Sequence, residues 1–229
     1  MKKFSLILIL AVAVSVAAGF AKAQETPASP AQQQQSPQVE EWADTFDGRQ
    51  LDAAKWERFS FEGTSGGKLK LEGGELRMRG MHRSRSGIRS KQSFTSDRFI
   101  FEGTITRVDL PLPAPNEKGT PPGSAVLAIM FDGSGRNRIE WLLTSEKTLE
   151  AWAVIDGAGE RLDDRKLGTK LKNPTLGIVR RGDEFLFMLN GQEGLKKTIR
   201  NMPRSFRVML YGWSSAENGW DSMRLVMAK

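Results

Sequence analysis

One long stretch, Arg98–Val108, limits what this chain can fold into more than any other part of the sequence. Phe99, Phe101 and Ile105 fall on one parity, and polar residues occupy most of the other. A period of two predicts a β-strand with one face in a core and the other in water. The proline-rich segment that follows, 109–115, ends the strand because proline cannot donate to a β-ladder.

Shorter segments repeat this pattern along the rest of the chain. Strands are predicted at 68–71, 75–79, 87–91, 125–131, 139–143, 148–155, 176–180, 184–189, 206–213 and 221–227. Asp156-Gly157 and Asn190-Gly191 are typical of the tight turns of β-hairpins, which need positive φ. So many strands must split into two packed sheets or close into a barrel. The sequence therefore predicts an all-β domain whose core includes Phe99, Phe101, Ile105, Phe185, Phe187, Val208 and Leu210.

The N-terminus has a different composition. Two lysines, an apolar run and the small residues around Ala23 indicate a signal peptide over 1–23, and the Pro- and Gln-rich segment 24–40 predicts a disordered linker before a domain at 41–229. Cleavage after Ala23 removes three lysines, which lowers the net charge from +7 to +4. We therefore expect a secreted or periplasmic protein with no membrane span after cleavage. The absence of cysteine excludes disulfides, thiol catalysis and a lipid-modified cysteine.

Several segments together, "DTFDG", "LDAAKW", "SGIRSKQSF", "RFIFEGTITRVDLP", "GIVRRGDEFLFMLNG" and "WDSMRLVM", resemble the concanavalin A-like lectin/glucanase superfamily. This group includes laminin G-like domains, lectins and laminarinase-type glycoside hydrolases. The resemblance implies a two-sheet antiparallel β-sandwich, a jelly roll, rather than a barrel. Function does not follow from this fold, because jelly rolls serve as capsids, lectins and enzymes.

The catalytic pattern of the laminarinase-like relatives, Glu-x-Asp-x-x-Glu, has no match here. If Glu140 takes the place of the central Asp, Arg138 and Leu143 occupy the positions of the nucleophile and the acid/base. Neither side chain can do that chemistry, since a retaining glycosidase needs two carboxyl groups about 5–5.5 Å apart. A glycoside-processing enzyme similar to the bacterial 3-keto-disaccharide hydrolase group, and a structural envelope protein, remain alternative hypotheses.

Aromatic and polar residues on the outward parity of three strands suggest a ligand-binding face. Trp213 and Tyr211 are predicted to stack a sugar with Trp152 nearby, and Glu140 and Arg138 to orient its hydroxyl or carboxylate groups. The alternative is that these rings pack under loops and complete a second apolar face. The main hypothesis is an exported glycan-binding domain that does not hydrolyse its ligand, and its partner is a polysaccharide or cell-envelope glycan.

A run of positive residues without an acid extends over 77–91. Its members are Arg77, Arg79, Arg83, Arg85, Arg89 and Lys91. Arginine suits bidentate contact with anionic groups, so this run favours an anionic polysaccharide as ligand. The alternative is a solvated edge strand that charge keeps soluble. No nucleic-acid-binding motif occurs in the sequence.

Many members of the superfamily hold one structural calcium ion near the junction of the first and last strands. By this resemblance, Asp44, Asp47 and Asp221 are candidate ligands in "ADTFDG" and "WDSMRL". Calcium takes six to eight oxygen ligands, many of them from the backbone, so three aspartates form only part of such a site. No other cofactor is expected.

Overall fold

The structure, a computed structural model, describes residues 39–61, 67–80, 84–110, 122–213 and 215–228. The predicted signal peptide, almost all of the predicted linker and Arg83 lie outside these ranges. Val39 and Glu40 belong to the first strand, two residues before the expected start of the domain. No α-helix occurs in the described ranges, so none of their segments is a helix that could cross a membrane.

The strands, numbered in chain order, form two eight-stranded sheets in which every pairing is antiparallel. The first sheet contains β1 (Val39–Asp44), β3 (Lys68–Leu71), β4 (Leu76–Arg79), β7 (Arg98–Val108), β12 (Thr175–Arg181), β13 (Glu184–Leu189), β14 (Gln192–Thr198) and β16 (Glu217–Ala228). The second contains β2 (Trp56–Ser60), β5 (Arg85–Ser90), β6 (Phe94–Thr95), β8 (Ser124–Met130), β9 (Arg138–Thr144), β10 (Thr148–Ile155), β11 (Ala158–Lys166) and β15 (Ser205–Trp213).

The order of the strands shows a sandwich of two open sheets. The first sheet runs β14-β13-β12-β7-β16-β4-β3, with β1 beside β16. The second runs β11-β10-β9-β8-β15-β5-β2, with β6 beside β15. The expected all-β jelly-roll sandwich is thus confirmed. The long strand β7 lies in the middle of the first sheet, between β12 and β16, where its alternating side chains meet the second sheet.

The main core lies between the sheets and is rich in aromatic rings. All seven residues predicted for it are buried there: Phe99, Phe101, Ile105, Phe185, Phe187, Val208 and Leu210. Phe99 packs against Phe206 across the sheets, with their ring centroids 4.4 Å apart. Because these residues fall on the inward parity of their strands, the opposite parity is turned outward, and the candidate site is built from it.

Two predicted turns connect strands at the edges of the sheets. Asp156 and Gly157 have φ of 51° and 88° between β10 and β11, and Asn190 and Gly191 have 52° and 76° between β13 and β14. Positive φ at both central residues matches the twist of the flanking strands, which is why Asn, Asp and Gly occur there. Both turns lead into edge strands, β11 and β14, that the sequence pattern did not predict.

Candidate functional site

The outer face of the second sheet carries a cleft of about 220 Å³. Strand β9 shows how the sequence builds it. Ile139 and Trp141 point into the core, whereas Arg138, Glu140 and Leu142 point into the cleft. Strands β8, β10 and β15 contribute further side chains of the same outward parity. The cleft is therefore a direct product of the two-residue period of the strands.

Glu140 is the centre of a hydrogen-bonded network at the floor of the cleft. Its Oε1 accepts from the hydroxyl of Tyr211 at 2.5 Å and from Nε of Arg138. Both Glu140 and Arg138 are only 6% exposed. Ala128 lies between Met209 of β15 and Glu140 of β9 in the ladder, and its small side chain leaves room for Tyr211 to reach across β8.

Burial and charge shift two pKa values in this network. Burial, followed by the nearby Glu140 carboxylate, raises the pKa of the Tyr211 phenol well above its ordinary value. Burial acts against the positive charge of Arg138, but Glu140 and Tyr211 outweigh it and raise the pKa of that guanidinium. Arg138 therefore stays charged, and Tyr211 stays neutral and donates its proton to the carboxylate. The floor of the cleft is a buried ion pair with a phenol bound to it.

A tight loop supports the guanidinium from the far side. Arg138 also donates to the carbonyl oxygen of Gly135 at 2.6 Å. The loop that presents this carbonyl is tied to the carboxylate of Asp132, which accepts from the backbone N–H groups of Ser134 at 2.9 Å and Asn137 at 2.7 Å. Partial burial acts against this charge, yet hydrogen bonds from Ser134 and Asn137 hold the pKa of Asp132 below its usual value.

Phe61, which directly follows strand β2, covers the network. Its ring lies 4.4 Å from the guanidinium carbon of Arg138 and meets the Tyr211 ring edge-on, with the centroids 5.3 Å apart. Phe59 packs against Phe61 at 4.9 Å. With Val126, Met130 and Met209 these residues form a second apolar cluster, separate from the main core. The cluster excludes water from the ion pair, which strengthens its electrostatic attraction.

Trp213 lies at the mouth of the cleft and is 40% exposed. In the ladder its neighbours are Arg85 on one side and Ser124 on the other, and Thr144 follows next to Ser124. An exposed ring is therefore flanked by side chains that can hydrogen-bond. This combination can pack against an apolar surface and bind hydroxyl groups beside it.

Trp152 forms the opposite wall, on β10, three strands away from Trp213 in the sheet. Its Nε1 donates to Glu150 at 2.8 Å, which fixes the plane of the indole. Arg161 lies over the ring at 5.9 Å, and a Cβ at Gly159 would lie 3.8 Å from it. Because Gly159 also lines the cleft and has no side chain, the indole is uncovered on that side.

All five residues predicted to bind a ligand line this one cleft, namely Arg138, Glu140, Trp152, Tyr211 and Trp213. The role expected for Tyr211 needs correction, because its ring is 2% exposed and Phe61 packs on it. Tyr211 belongs to the floor and does not offer a ring face for stacking. Arg138 and Glu140 likewise bind each other first. The alternative that such rings complete a second apolar face is thus right for Tyr211.

Sequence reasoning missed Glu150 and Phe61, and it assigned Arg85 to a charged run instead of the cleft. A signal for two of them was present. Glu150 has the outward parity of Trp152 on β10, and Phe61 continues the outward parity of Glu57 and Phe59 on β2. The position of Phe61 over Tyr211 depends on the pairing of β2 with β5 and of β5 with β15, which the pattern of one strand does not reveal.

The cleft has two carboxylates, Glu140 and Glu150, on neighbouring strands. The sequence comparison with Glu-x-Asp-x-x-Glu placed Leu143 at the position of the acid/base, but Leu143 is buried in the main core and Leu142 faces the cleft. Glu140 is the single carboxylate on β9, and it is bound to Arg138 and Tyr211.

The predicted basic run does not form one surface. Arg77 and Arg79 lie on β4 of the first sheet, whereas Arg85 and Arg89 lie on β5 of the second. The outer faces of the two sheets point in opposite directions. Acids also neutralise part of the run, since Arg89 pairs with Glu57 at 2.6 Å. Lys91 follows β5 and is exposed. The sequence run was misleading because consecutive strands belong to different sheets.

The three aspartates proposed as calcium ligands do not converge. Among the described residues no group of three or more Asp, Glu or His side chains could hold a metal ion. Asp44 has structural hydrogen bonds instead, since it accepts from Phe46 N at 2.9 Å and from Trp56 Nε1 at 2.8 Å. Asp47 and Asp221 therefore do not form a group of three carboxylates with it.

No protein-family model matches the sequence, and no curated protein matches it. Solved structures do match its fold. The endo-β-1,3-glucanase from Pyrococcus furiosus aligns with a TM-score of 0.64 and 13% identity, covering 82% of this chain and 94% of that chain. The catalytic domain of a laminarinase from Thermotoga petrophila RKU-1 aligns with a TM-score of 0.62 and 11% identity, covering 85% and 100%.

A carbohydrate recognition domain, that of Emp47p, aligns with a TM-score of 0.57 and 14% identity, covering 82% of this chain and 95% of that chain. At such identities the likeness concerns the fold alone. The chain has the concanavalin A-like lectin/glucanase fold, which glucanases and a lectin-type recognition domain share.

Proposed function

We propose that this protein is an exported glycan-binding domain and that the cleft on the second sheet is its binding site. The observation that carries the proposal is the position of Trp213, an exposed indole at the mouth of a cleft and next to Arg85 and Ser124. Sugar C–H faces pack on aromatic rings while their hydroxyls need polar partners at the ring's edge. Export is supported by the predicted signal peptide.

The charge of the cleft favours a neutral glycan. Its charged lining residues are Arg85, Arg138, Glu140 and Glu150, two positive and two negative. Arg138 and Glu140 neutralise each other, so the pair presents no net charge to a ligand. An anionic sugar would meet the Glu150 carboxylate near Trp152. This refines the expectation from the sequence, in which the ligand was an anionic polysaccharide.

Binding without hydrolysis is the mode that the carboxylates support. A retaining glycosidase needs a free nucleophile and a proton donor about 5–5.5 Å apart. Glu140 is bound to a guanidinium and a phenol, and Glu150 accepts from an indole. The glucanases of this fold nevertheless suggest neutral β-glucans as first probes, because the structures similar to this chain include a β-1,3-glucanase and a β-1,3-1,4-glucanase.

The test is a glycan array followed by calorimetry with soluble β-1,3-glucan and mixed-linkage β-glucan. Trp213→Ala should weaken binding by about 1–3 kcal/mol, roughly 5- to 150-fold, because it removes an aromatic anchor. The melting temperature should hardly change, since the ring is largely outside the core. Ile155→Ala is a matched control. Ile155 is also 40% exposed and lies on β10, but it does not line the cleft.

Four outcomes separate the alternatives. Binding that survives Trp213→Ala, or that falls equally in Ile155→Ala, contradicts the assignment of the cleft. Release of reducing sugar by the wild type supports a glycoside-processing enzyme instead. If the wild type neither binds a glycan nor releases reducing sugar, the result supports a structural protein. Unfolding of Trp213→Ala by about 3–5 kcal/mol would mean that the ring is a packing residue.

A further inference from the structure

A second groove, of about 590 Å³, lies where the edge strands of the two sheets approach each other, β2 of the second sheet and β3 of the first. We call it the edge groove. Its charged lining residues are Arg58, Lys68, Lys70, Arg77, Arg79 and Glu217. It shares no lining residue with the cleft, so its chemistry is independent of the function proposed above.

The β3–β4 ladder places like charges directly opposite each other. Lys68 pairs in register with Arg79, and Lys70 pairs with Arg77. All four side chains have the outward parity, because Leu69, Leu71, Leu76 and Met78 fall on the inward one. Like charges that face each other across a ladder destabilise a sheet. A pair of such contacts side by side is unfavourable for folding and favourable for binding an anion.

Nearby carboxylates neutralise the positive charges at one end of this block, the four cations of the β3–β4 ladder. Glu72 pairs with Lys70 at 2.8 Å and with Arg77 at 2.7 Å, and these contacts lower its pKa. Glu75 bridges Arg77 at 2.9 Å and Arg107 at 3.0 Å. The charges at the Lys70–Arg77 end are therefore satisfied within the protein.

The other end of the block is less well balanced. Arg79 pairs with Glu217 at 3.4 Å, but Glu217 is shared with Arg107 at 3.5 Å. Nε of Arg79 is buried and has no hydrogen-bond partner among the described residues. Lys68 makes no ion pair with any described residue, and Arg58 makes one hydrogen bond of 3.4 Å, to the carbonyl of Gly67. In total, six cations, including Arg107, face three carboxylates.

We propose that the edge groove binds a segment of anionic polysaccharide, with a sulfate or carboxylate group between Arg58, Lys68 and Arg79. A bound oxyanion would relieve the repulsion between Lys68 and Arg79 and would accept from the exposed part of the Arg79 guanidinium, whose side chain is 41% exposed. Arginine forks match the geometry of such oxyanions. The protein then has two separate sites, an aromatic cleft for neutral sugar and a basic groove for an anionic one.

The lining of the groove favours a polysaccharide over other polyanions. Leu69 is its single apolar side chain, and no aromatic ring lines it. Single-stranded nucleic acid is normally held by base stacking on aromatic rings as well as by charge, and attachment to a membrane surface needs buried apolar area. The carboxylate of Glu217 within the groove also suits an anion whose charges are spaced apart.

The experiment compares dextran sulfate with uncharged dextran of the same length, by calorimetry on the purified protein at low and high salt. We expect binding of dextran sulfate and none of dextran. The double variant Arg58→Gln/Lys68→Gln should weaken the binding roughly tenfold or more, because it removes two charge-assisted contacts at the unbalanced end. Polygalacturonate in the same assay distinguishes carboxylate from sulfate as the preferred group.

The control variant is Lys166→Gln/Lys170→Gln, which removes the same charge from another part of the surface, where both lysines are exposed. It should lower the affinity less than about twofold, the effect of net charge alone. Equal losses in the two double variants, or no binding of dextran sulfate by the wild type, would overturn the proposal. So would tighter binding of single-stranded DNA or of anionic lipid vesicles than of dextran sulfate. Unchanged circular dichroism establishes that both variants are folded.

Discussion

The two outer faces of the sandwich use charged residues in opposite ways. On the second sheet, Arg138 and Glu140 are buried in the floor of the cleft beside Tyr211, and Phe61 lies over Arg138. On the first sheet, Arg224 and Glu102 pair at 3.0 Å with 51% and 25% of their side chains exposed. Both faces belong to sheets in which neighbouring strands pair in the antiparallel direction. The difference shows that the effect of a charged side chain on stability depends on whether other side chains shield it from water, and not on its position in a strand.

The physical reason is the dielectric environment. Water screens an exposed pair, whose contribution is usually about 0–1 kcal/mol. A pair under aromatic rings has lost its hydration, so each partner depends on the other for compensation. On the second sheet, Phe59 and Phe61 provide this cover from the edge strand β2 and the residue after it. The first sheet has charged edge strands, β3 and β14, in the corresponding places.

The largest effect is expected when one partner of the buried pair is removed. Glu140→Ala leaves the guanidinium of Arg138 buried without its carboxylate and should lower the free energy of unfolding by about 3–5 kcal/mol. Glu102→Ala, the same change in an exposed pair, should cost about 0.2–1 kcal/mol. Urea denaturation of both variants measures the difference. If the two variants lose similar free energies of unfolding, burial of the Arg138–Glu140 pair does not make it more important for stability than the exposed pair.

A smaller effect is expected at the phenol of the same network. Tyr211→Phe keeps the ring and removes the hydroxyl that donates to Glu140, so it should lower the free energy of unfolding by about 1.5–3 kcal/mol, as for other hydrogen bonds to charged groups. Thermal and urea denaturation measure this. A neutral result would show that the carboxylate does not depend on Tyr211.

The same residue predicts a dependence on alkaline pH. The chain has a single tyrosine, so its tyrosinate absorbance reports on Tyr211 alone. Because the folded-state pKa is raised, the stability it contributes is complete below the unfolded pKa of about 10 and is lost as pH rises above it. The folded protein should show no tyrosinate near pH 10, where an exposed tyrosine is about half ionised. Ionisation at that pH in the folded state would contradict the buried position.

The smallest effect has the opposite sign and belongs to the first sheet. Lys68→Gln removes one member of the like-charged pair with Arg79 and should raise the free energy of unfolding by about 0.2–1 kcal/mol at low salt. Added salt should abolish the gain by screening the repulsion. Lys166→Gln is the control and should change little. A loss of stability in Lys68→Gln would mean that this lysine has a favourable partner in the protein.

Much of the fold could be predicted from the period of two. It placed Phe99, Phe101 and the other predicted core residues correctly, because a strand with one buried face has apolar residues at alternate positions. It missed β11 and β14, whose faces are largely exposed and charged. Such edge strands carry no apolar alternation, since charge on an edge prevents association with other chains. Their turns, at Asp156 and Asn190, were recognisable.

The candidate site could likewise be predicted only in part. The outward parity of Trp213, Trp152 and Glu140 was visible in the sequence, and the structure places them in one cleft. Parity does not reveal what covers a side chain. Tyr211 and Trp213 share a face two residues apart, yet Phe61 buries the first, and the second is exposed at the cleft mouth.

Alternation within each strand is a local property, and the sequence by itself determined it: which residues face inward, where hairpins turn, and that the chain is all-β. Pairing between distant strands is not local, and only the tertiary structure decided it. It divided the basic run 77–91 between two sheets, and it brought Arg58 of β2 near Lys68 of β3. Through β2 and β5 it also placed Phe61 over Arg138 and against Tyr211. The reason is that strands close in sequence can join different sheets, so neighbours in space are set by the order of strands.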